Sequence, residues 1–119
     1  MGKIIGTLGE RMAENFLADR GLAIIARNYH AGRAGEIDLI ATLGVEIIFI
    51  EVKTRTKMKF SAGLEAVDGY KLRKWYYTAE DFILRHPEYE NFHWRFDVVE
   101  IFLDWKKRSA KARWIKGVY

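Results

Sequence analysis

The chain has 119 residues, 50% of them hydrophobic and 14% aromatic, which predicts one domain with a well-packed core and excludes global disorder. It contains no cysteine, which excludes disulfides and thiolate metal sites and is typical of a reducing cytoplasm. Its 20 basic and 16 acidic residues give a net charge of +4, which mildly favours polyanions such as nucleic acid. Apolar runs stay well short of the roughly 20 residues of a membrane span, and Glu10 and Arg11 come too early for a secretory signal. We therefore expect a cytoplasmic protein without a membrane partner.

The first predicted element is a helix over about residues 3–20. Its apolar stripe at helical spacing consists of Ile5, Leu8, Met12 and Phe16, with Ala13 and Leu17 beside it. Gly21 follows at the position of a helix C-cap. After it, residues 22–28 predict a short strand and residues 29–35 a loop.

Two strands rich in isoleucine, valine, leucine and phenylalanine follow, at residues 36–42 and 46–53. A tight turn at Gly44 and Val45 would place Leu43 opposite Glu46. The register of the whole hairpin follows from that pair, and a slip of one residue would move every side chain to the other face.

Beyond Arg55 the sequence predicts a polar loop, then a helix over about residues 62–85 that Ser61 caps and Pro87 stops. A strand over residues 95–103, a basic connection over 104–111 and an edge strand over 113–119 complete the chain. The predicted fold is α/β, a mixed sheet flanked by helices in the order α-β-β-β-α-β-β. The basic residues near the C-terminus are interpreted as a solvated surface: Lys106, Lys107, Arg108, Lys111 and Arg113.

The hairpin register carries the main functional prediction. It places Asp38 opposite Glu51 and Glu36 opposite Lys53, so four charged side chains share one face. The surrounding residues are apolar on both faces, as in a sheet covered on both sides. Burying two carboxylates there is costly without a cation, and hard oxygen ligands suit magnesium. The alternative is a structural pairing of Asp, Glu and Lys at the end of a sheet.

Asp38 followed by Glu51-Val52-Lys53 resembles the metal motif of the PD-(D/E)xK nuclease superfamily, which includes restriction enzymes and archaeal Holliday junction resolvases. Nearly the whole chain resembles more closely the YraN family of small bacterial proteins. Five blocks carry this resemblance: Gly9-Glu10, residues 35–40, residues 49–55, Glu65-Ala66-Val67 with Lys71, and residues 95–99. Ile37 departs from the superfamily motif, which has a proline there.

The resemblance implies a restriction-endonuclease-like core and a Mg²⁺ or Mn²⁺ site. Asp38, Glu51 and the main-chain carbonyl of Val52 would be the metal ligands. Lys53 would stand by the attacking water and the scissile phosphate. Because nearby carboxylates raise the pKa of a lysine, we expect Lys53 to stabilise charge rather than to act as a base.

Five further residues surround this predicted centre. Glu10 either reaches the metal, as in resolvase-like relatives, or is an ordinary glutamate at the boundary of the helix. Lys71 is either an active-site residue that also binds nucleic acid or a lysine that extends along an apolar surface to reach solvent. Glu36 is expected beside the metal ligands, while Arg55 and Lys57 are expected to bind flanking phosphates. The aromatic side chains are assigned to core packing or a dimer contact: Trp75, Tyr76, Tyr77, Trp94, Trp105 and Trp114.

The leading hypothesis is a magnesium-dependent endonuclease that cuts DNA, including branched or junction DNA. Resolvase-like relatives act as dimers, so the resemblance also implies a homodimer. A non-catalytic nucleic-acid-binding module with the same fold is the alternative, and an enzyme acting on RNA or another phosphate ester is a third hypothesis. The intact set of Asp38, Glu51 and Lys53 argues for the enzyme over the module.

Overall fold

The computed structural model describes residues 2–33, 35–56 and 69–118, which form a mixed α/β fold. Within these ranges there are two α-helices, α1 (Gly2–Asp19) and α2 (Gly69–Arg85), and a 3₁₀-helix (Pro87–Tyr89). The strands are β1 (Ala23–His30), β2 (Glu36–Leu43), β3 (Glu46–Arg55), β4 (His93–Asp104) and β5 (Ser109–Ile115). Neither helix, as far as the structure describes it, has the length and apolar character needed to cross a membrane.

These strands form one sheet in chain order, β1-β2-β3-β4-β5. Among the described strands, only β3 and β4 run parallel, and the crossover between them contains α2. On one face, Ala13 and Leu17 of α1 pack against the sheet. On the other face, Trp75 and Phe82 of α2 do so. The central strands are apolar on both faces because both faces are covered.

Most predicted elements are confirmed, with shifted ends. Gly21 ends α1 as predicted: its φ is 91°, and Leu22 N–H donates to the Leu17 carbonyl, as in a Schellman motif. Strand β1 continues to His30, into residues predicted as a loop. Strand β5 begins earlier than predicted, at Ser109. Ser61 and residues 62–68 of the predicted second helix lie outside the described residues.

The buried side of α1 differs from the prediction. Gly9, Ala13 and Leu17 face the sheet most closely, whereas Met12 and Phe16 are only partly buried. The cause is a close approach of the helix to β3: a Cβ atom on Gly9 would lie 1.7 Å from Oγ1 of Thr54. Because small residues allow this approach, the helix is rotated by about one position from the predicted stripe.

The predicted hairpin register is confirmed from Leu43, opposite Glu46, to Leu39, opposite Ile50. The ladder ends at Leu39 and Ile50. The predicted backbone pairs of Asp38 with Glu51 and of Glu36 with Lys53 are therefore wrong.

Strand β2 also turns where the ladder ends. Ile37 and Ile40 lie in the same core cluster on the α2 side, although residues three apart on a regular strand face opposite sides. On the neighbouring strand, Asn28 has a φ of 49°. The chain is therefore irregular around Asp38.

Candidate functional site

The gap between β2 and β3 opens into a small cleft beside the start of α2. The cleft measures about 310 Å³, at the small end of the range for ligand pockets. Its lining consists of Gly35, Glu36, Ile37, Asp38, Glu51, Lys71, Lys74 and Trp75.

Asp38 spans the gap by a hydrogen bond from its side chain. Its Oδ2 accepts the backbone N–H of Val52 at 2.8 Å, replacing a ladder bond between the strands. Burial, followed by the nearby carboxylates of Glu10, Glu51 and Glu36, raises the pKa of Asp38 to about 6, against the lowering effect of that hydrogen bond. Four acidic side chains thus interact at this point, which is an unfavourable arrangement unless a cation joins them.

Glu51 is partnered on one oxygen only, as far as the described residues show. Its Oε1 lies 2.5 Å from Nζ of Lys71 and 4.0 Å from Nζ of Lys53. Its Oε2 is buried and has no hydrogen-bond partner among those residues. An unpaired buried carboxylate oxygen costs free energy as long as no donor or cation reaches it.

Lys53 has a lowered pKa, and burial is the largest cause. Glu51 raises this pKa, as the sequence predicted, but the neighbouring cations Lys71 and Arg55 lower it in addition to burial. The expectation of a raised lysine pKa is therefore wrong, since it counted the carboxylates and omitted burial and the second lysine.

Glu10 and Glu36 lie at the edge of the site. The pKa of Glu10 is raised by burial and then by the charge of Glu36, which places α1 within electrostatic reach of the cleft. Glu36 does not accompany Lys53 as predicted. Its register partner is His30, whose Nε2 lies 3.8 Å from its carboxylate. Glu36 still lines the cleft and interacts with Asp38.

On the other side of the site, Arg55 bonds to Glu100, a fully buried residue of β4. Arg113 of β5 bonds to the same carboxylate. Neither Glu100 nor Arg113 was among the predicted site residues. Their signals were an acid within the apolar part of a strand and the alternation of Lys111 and Arg113. Lys57, a predicted phosphate-binding residue, lies outside the described residues.

The aromatic residues divide into two groups. Trp75 is buried against Phe96, Trp94 packs edge-on to Phe49 and Trp114 packs edge-on to Phe16, which confirms core packing for these three. Exposed aromatic side chains are Tyr76, Tyr77 and Trp105.

The donor set fits a hard divalent ion held by two carboxylates and main-chain oxygen. Within the described residues, no group of three or more His, Cys, Asp or Glu side chains forms a metal-binding arrangement by itself. Asp38 and Glu51 nevertheless offer carboxylate oxygens on the two sides of one gap, and one buried Glu51 oxygen has no partner there. These are the ligand types that Mg²⁺ and Mn²⁺ prefer.

Comparison with known proteins places the chain in a family. The model of the uncharacterised protein family UPF0102 matches residues 9–101, a range that contains Glu10, Asp38, Glu51 and Lys71. A UPF0102 protein of Caldicellulosiruptor bescii is 40% identical over 117 residues, which cover 98% of each chain. UPF0102 proteins of Legionella pneumophila and Clostridium botulinum are each 35% identical, over 96% and 98% of this chain and 92% and 94% of their own lengths. The expected family resemblance is confirmed, and the chain belongs to the uncharacterised protein family UPF0102.

Proposed function

We propose that this protein is a divalent-metal-dependent endonuclease with a restriction-endonuclease-like core that cuts DNA. The observation that carries the proposal is the buried Oε2 of Glu51, unpartnered among the described residues, beside the raised-pKa carboxylate of Asp38. Lys71 lines the same cleft, and Lys53 lies 4.0 Å from Oε1 of Glu51, so two lysines add the positive charge that a phosphodiester group requires.

Asp38, Glu51 and the Val52 carbonyl would hold the ion. The N–H and C=O of one strand residue point to the same side, so the Val52 carbonyl is expected to face the gap into which its N–H donates. A bound Mg²⁺ supplies an acidified water and neutralises charge on the phosphate. The raised pKa of Asp38 reflects burial and carboxylate crowding, and a cation would relieve the crowding.

Lys53 and Lys71 would bind the phosphodiester group. Both ammonium groups lie near Glu51 Oε1, so their charge is directed at the cleft rather than at open solvent. When a phosphate enters, Lys53 neutralises its oxygens and Lys71 exchanges part of its contact with Glu51 for the substrate. Glu10 and Glu36 surround the ligands and increase the attraction of the site for a cation.

The test combines metal binding with cleavage. Titration calorimetry with Mg²⁺ and Mn²⁺ should show binding to the wild type and none to Asp38→Asn or Glu51→Gln. At ten times the dissociation constant, Mg²⁺ should stabilise the wild type by about 1.4 kcal/mol. Labelled branched, duplex and single-stranded DNA and an RNA duplex should be incubated with each metal. Loss of either carboxylate should slow cleavage roughly 10³-fold, since the ion contributes several kcal/mol.

Glu14→Gln is the matched control, because Glu14 is a carboxylate of α1 that pairs with Arg27 instead. It should leave metal binding and cleavage unchanged. Cleavage of no substrate together with no metal binding would refute the proposal. DNA binding that is unaffected by metal and by Asp38→Asn would instead indicate a non-catalytic binding module.

A further inference from the structure

The carboxylate of Glu100 joins two arginines from the strands on either side of it. Glu100 is 0% exposed. Its Oε2 accepts Nε of Arg55 at 3.2 Å, and its Oε1 accepts Nε of Arg113 at 2.7 Å. A second nitrogen of Arg113 also contacts Oε1. One buried acid therefore fixes two guanidinium groups, and the trio keeps a net positive charge.

The trio lies on the same face of the sheet as the candidate metal site. Glu100 is the register partner of Lys53 on β3 and of Arg113 on β5. Side chains of register partners lie on one face, and so do alternate residues of a strand. The row Glu51, Lys53, Arg55 on β3 therefore continues on the same face through Glu100 of β4 to Arg113 of β5.

Both arginines remain accessible. The side chain of Arg55 is 24% exposed and that of Arg113 is 44% exposed. Glu100 engages Arg55 through Nε, so the two terminal nitrogens of that guanidinium are not committed to this carboxylate. Guanidinium groups with fixed planes and outward N–H groups match phosphate oxygens, and holding them in place beforehand lowers the entropy cost of binding.

We propose that Arg55 and Arg113, held by Glu100, form a second phosphate-binding site for the nucleic-acid backbone. It takes a phosphate next to the one at Asp38 and Glu51, so the bound strand runs across β3, β4 and β5. The position in the strand path rests on the proposed nuclease function, whereas phosphate binding by the pair does not. Lys53 and Arg55 are two residues apart on β3, a separation of about 6.6 Å along the strand. The two side chains can therefore contact two different phosphates.

The test measures duplex DNA binding in EDTA, where no metal-dependent cutting occurs, at several salt concentrations. Each phosphate contact contributes about 0.9 to the slope of log K against log salt. Arg113→Ala should lower that slope by about 0.9 and weaken binding about tenfold at low salt. Arg85→Ala is the matched control, because Arg85 is an exposed arginine paired with one acid, Asp81, at the other end of α2, about 21 Å from Lys71. It should leave the slope unchanged.

Arg113→Lys separates charge from geometry. It keeps the charge but loses the planar fork, so binding at low salt should fall between the wild type and Arg113→Ala. Thermal unfolding of each variant should show that the fold is retained, and Arg55→Lys gives a second route if Arg113→Ala unfolds.

The outcomes distinguish this inference from the nuclease proposal. A wild type that cuts DNA while Arg113→Ala and Arg85→Ala bind alike overturns the second site and leaves the nuclease standing. A lowered slope for Arg113→Ala in a protein that never cuts supports the second site and overturns the nuclease. A wild type that neither binds nor cuts overturns both.

Discussion

Two pairs of acidic residues lie in the central strands of this sheet, and they are partnered in opposite ways. On β4, Asp97 and Glu100 are fully buried, yet each has several donors. Asp97 alone accepts bonds from Arg95, from the Trp114 indole and from the Gly117 backbone. Across β2 and β3, Asp38 and Glu51 are less buried, yet Asp38 has a raised pKa and one Glu51 oxygen lacks a partner among the described residues.

The difference separates acids that belong to the framework from acids that would bind the metal ion under the proposed function. A buried carboxylate with all its oxygens bonded is part of the framework, and its charge is already balanced. A carboxylate that is less buried but has an oxygen without a hydrogen-bond partner lowers the stability of the fold as long as no donor or cation reaches that oxygen. If candidate site residues were ranked by burial alone, Asp97 and Glu100 would come first. Ranking them by whether their carboxylate oxygens have hydrogen-bond partners puts Asp38 and Glu51 first instead.

The largest expected effect comes from breaking the satisfied cluster. Asp97→Ala leaves Arg95, the Trp114 indole and the Gly117 amide without their shared acceptor, so it should lower the free energy of unfolding by about 3–5 kcal/mol. Urea unfolding measures this loss, and added Mg²⁺ should not restore it.

Asp19→Ala provides the comparison for that variant, because Asp19 is an exposed carboxylate at the end of α1. It should change stability by less than about 0.5 kcal/mol. A loss of under about 1 kcal/mol for Asp97→Ala would show that the cluster on β4 is not the framework.

A smaller effect of opposite sign is expected at the unsatisfied site. The pKa of Asp38 is raised from 3.8 to about 6, so ionisation costs more in the folded state than in the unfolded state. The free energy of unfolding therefore has its full value below pH 3.8, where Asp38 is protonated in both states. It falls as the pH rises from 3.8 to about 6 and stays at the lower value above that pH. Asp38→Asn lacks this loss and should be more stable than the wild type by about 3 kcal/mol at about pH 7.5 without metal.

The asparagine introduced by Asp38→Asn can still accept the hydrogen bond from the Val52 N–H. The variant therefore differs from the wild type in the charge of this side chain and not in this hydrogen bond. Chemical unfolding in EDTA from about pH 3.5 to about pH 8 checks the prediction. The gain should shrink to nearly zero at the acidic end, and a gain that is independent of pH would contradict it. Stabilisation together with loss of metal binding is the expected exchange of function for stability.

The smallest effect concerns the helix that brings Glu10 to the site. Gly9→Ala would place a Cβ atom 1.7 Å from Thr54 Oγ1 and 2.9 Å from Thr54 Cβ, so the helix must move away from β3. Overpacking costs about 1–3 kcal/mol, against a gain of about 1 kcal/mol in helix propensity, which leaves a net loss of about 1 kcal/mol. Thermal unfolding measures it.

Gly6→Ala is the internal control on the same helix, because its Cβ atom would meet nothing within 4 Å. It should raise stability by up to about 1 kcal/mol. Equal changes at Gly6 and Gly9 would show that the close contact with Thr54 is not what sets the helix position.

Sequence reasoning predicted the hairpin best. Its register follows from a tight turn at Gly44 and an apolar pattern that leaves no alternative pairing, and the ladder from Leu43 to Leu39 agrees. It did not predict the end of that ladder. At that point the Asp38 side chain accepts a hydrogen bond from the Val52 backbone N–H. The alternation of side chains along a strand cannot predict this bond, because it assumes that backbone groups bond only to each other.

The other differences share a physical reason, which is that long-range contacts decide them. The rotation of α1 depends on the Gly9–Thr54 contact, and a stripe of large apolar residues does not reveal where a small residue allows close packing. Arg113 meets Glu100 because β4 and β5 pair in a register that places the two residues opposite each other. The lowered pKa of Lys53 depends on burial and on Lys71, a residue from another element.

The parallel pairing of β3 with β4 has a consequence for folding kinetics. Its first register pair joins Glu46 to His93, so the intervening chain must close as one long loop before this ladder can form. The β2–β3 hairpin closes through a tight turn and is expected to form much earlier. Lys71 and α2 lie inside the long loop, so the hairpin acids are in place before Lys71 arrives. At the open end of the hairpin, the three acids Glu36, Asp38 and Glu51 face only two cations, Lys53 and Arg55, so Lys71 from the long loop completes the charge balance when the parallel ladder closes.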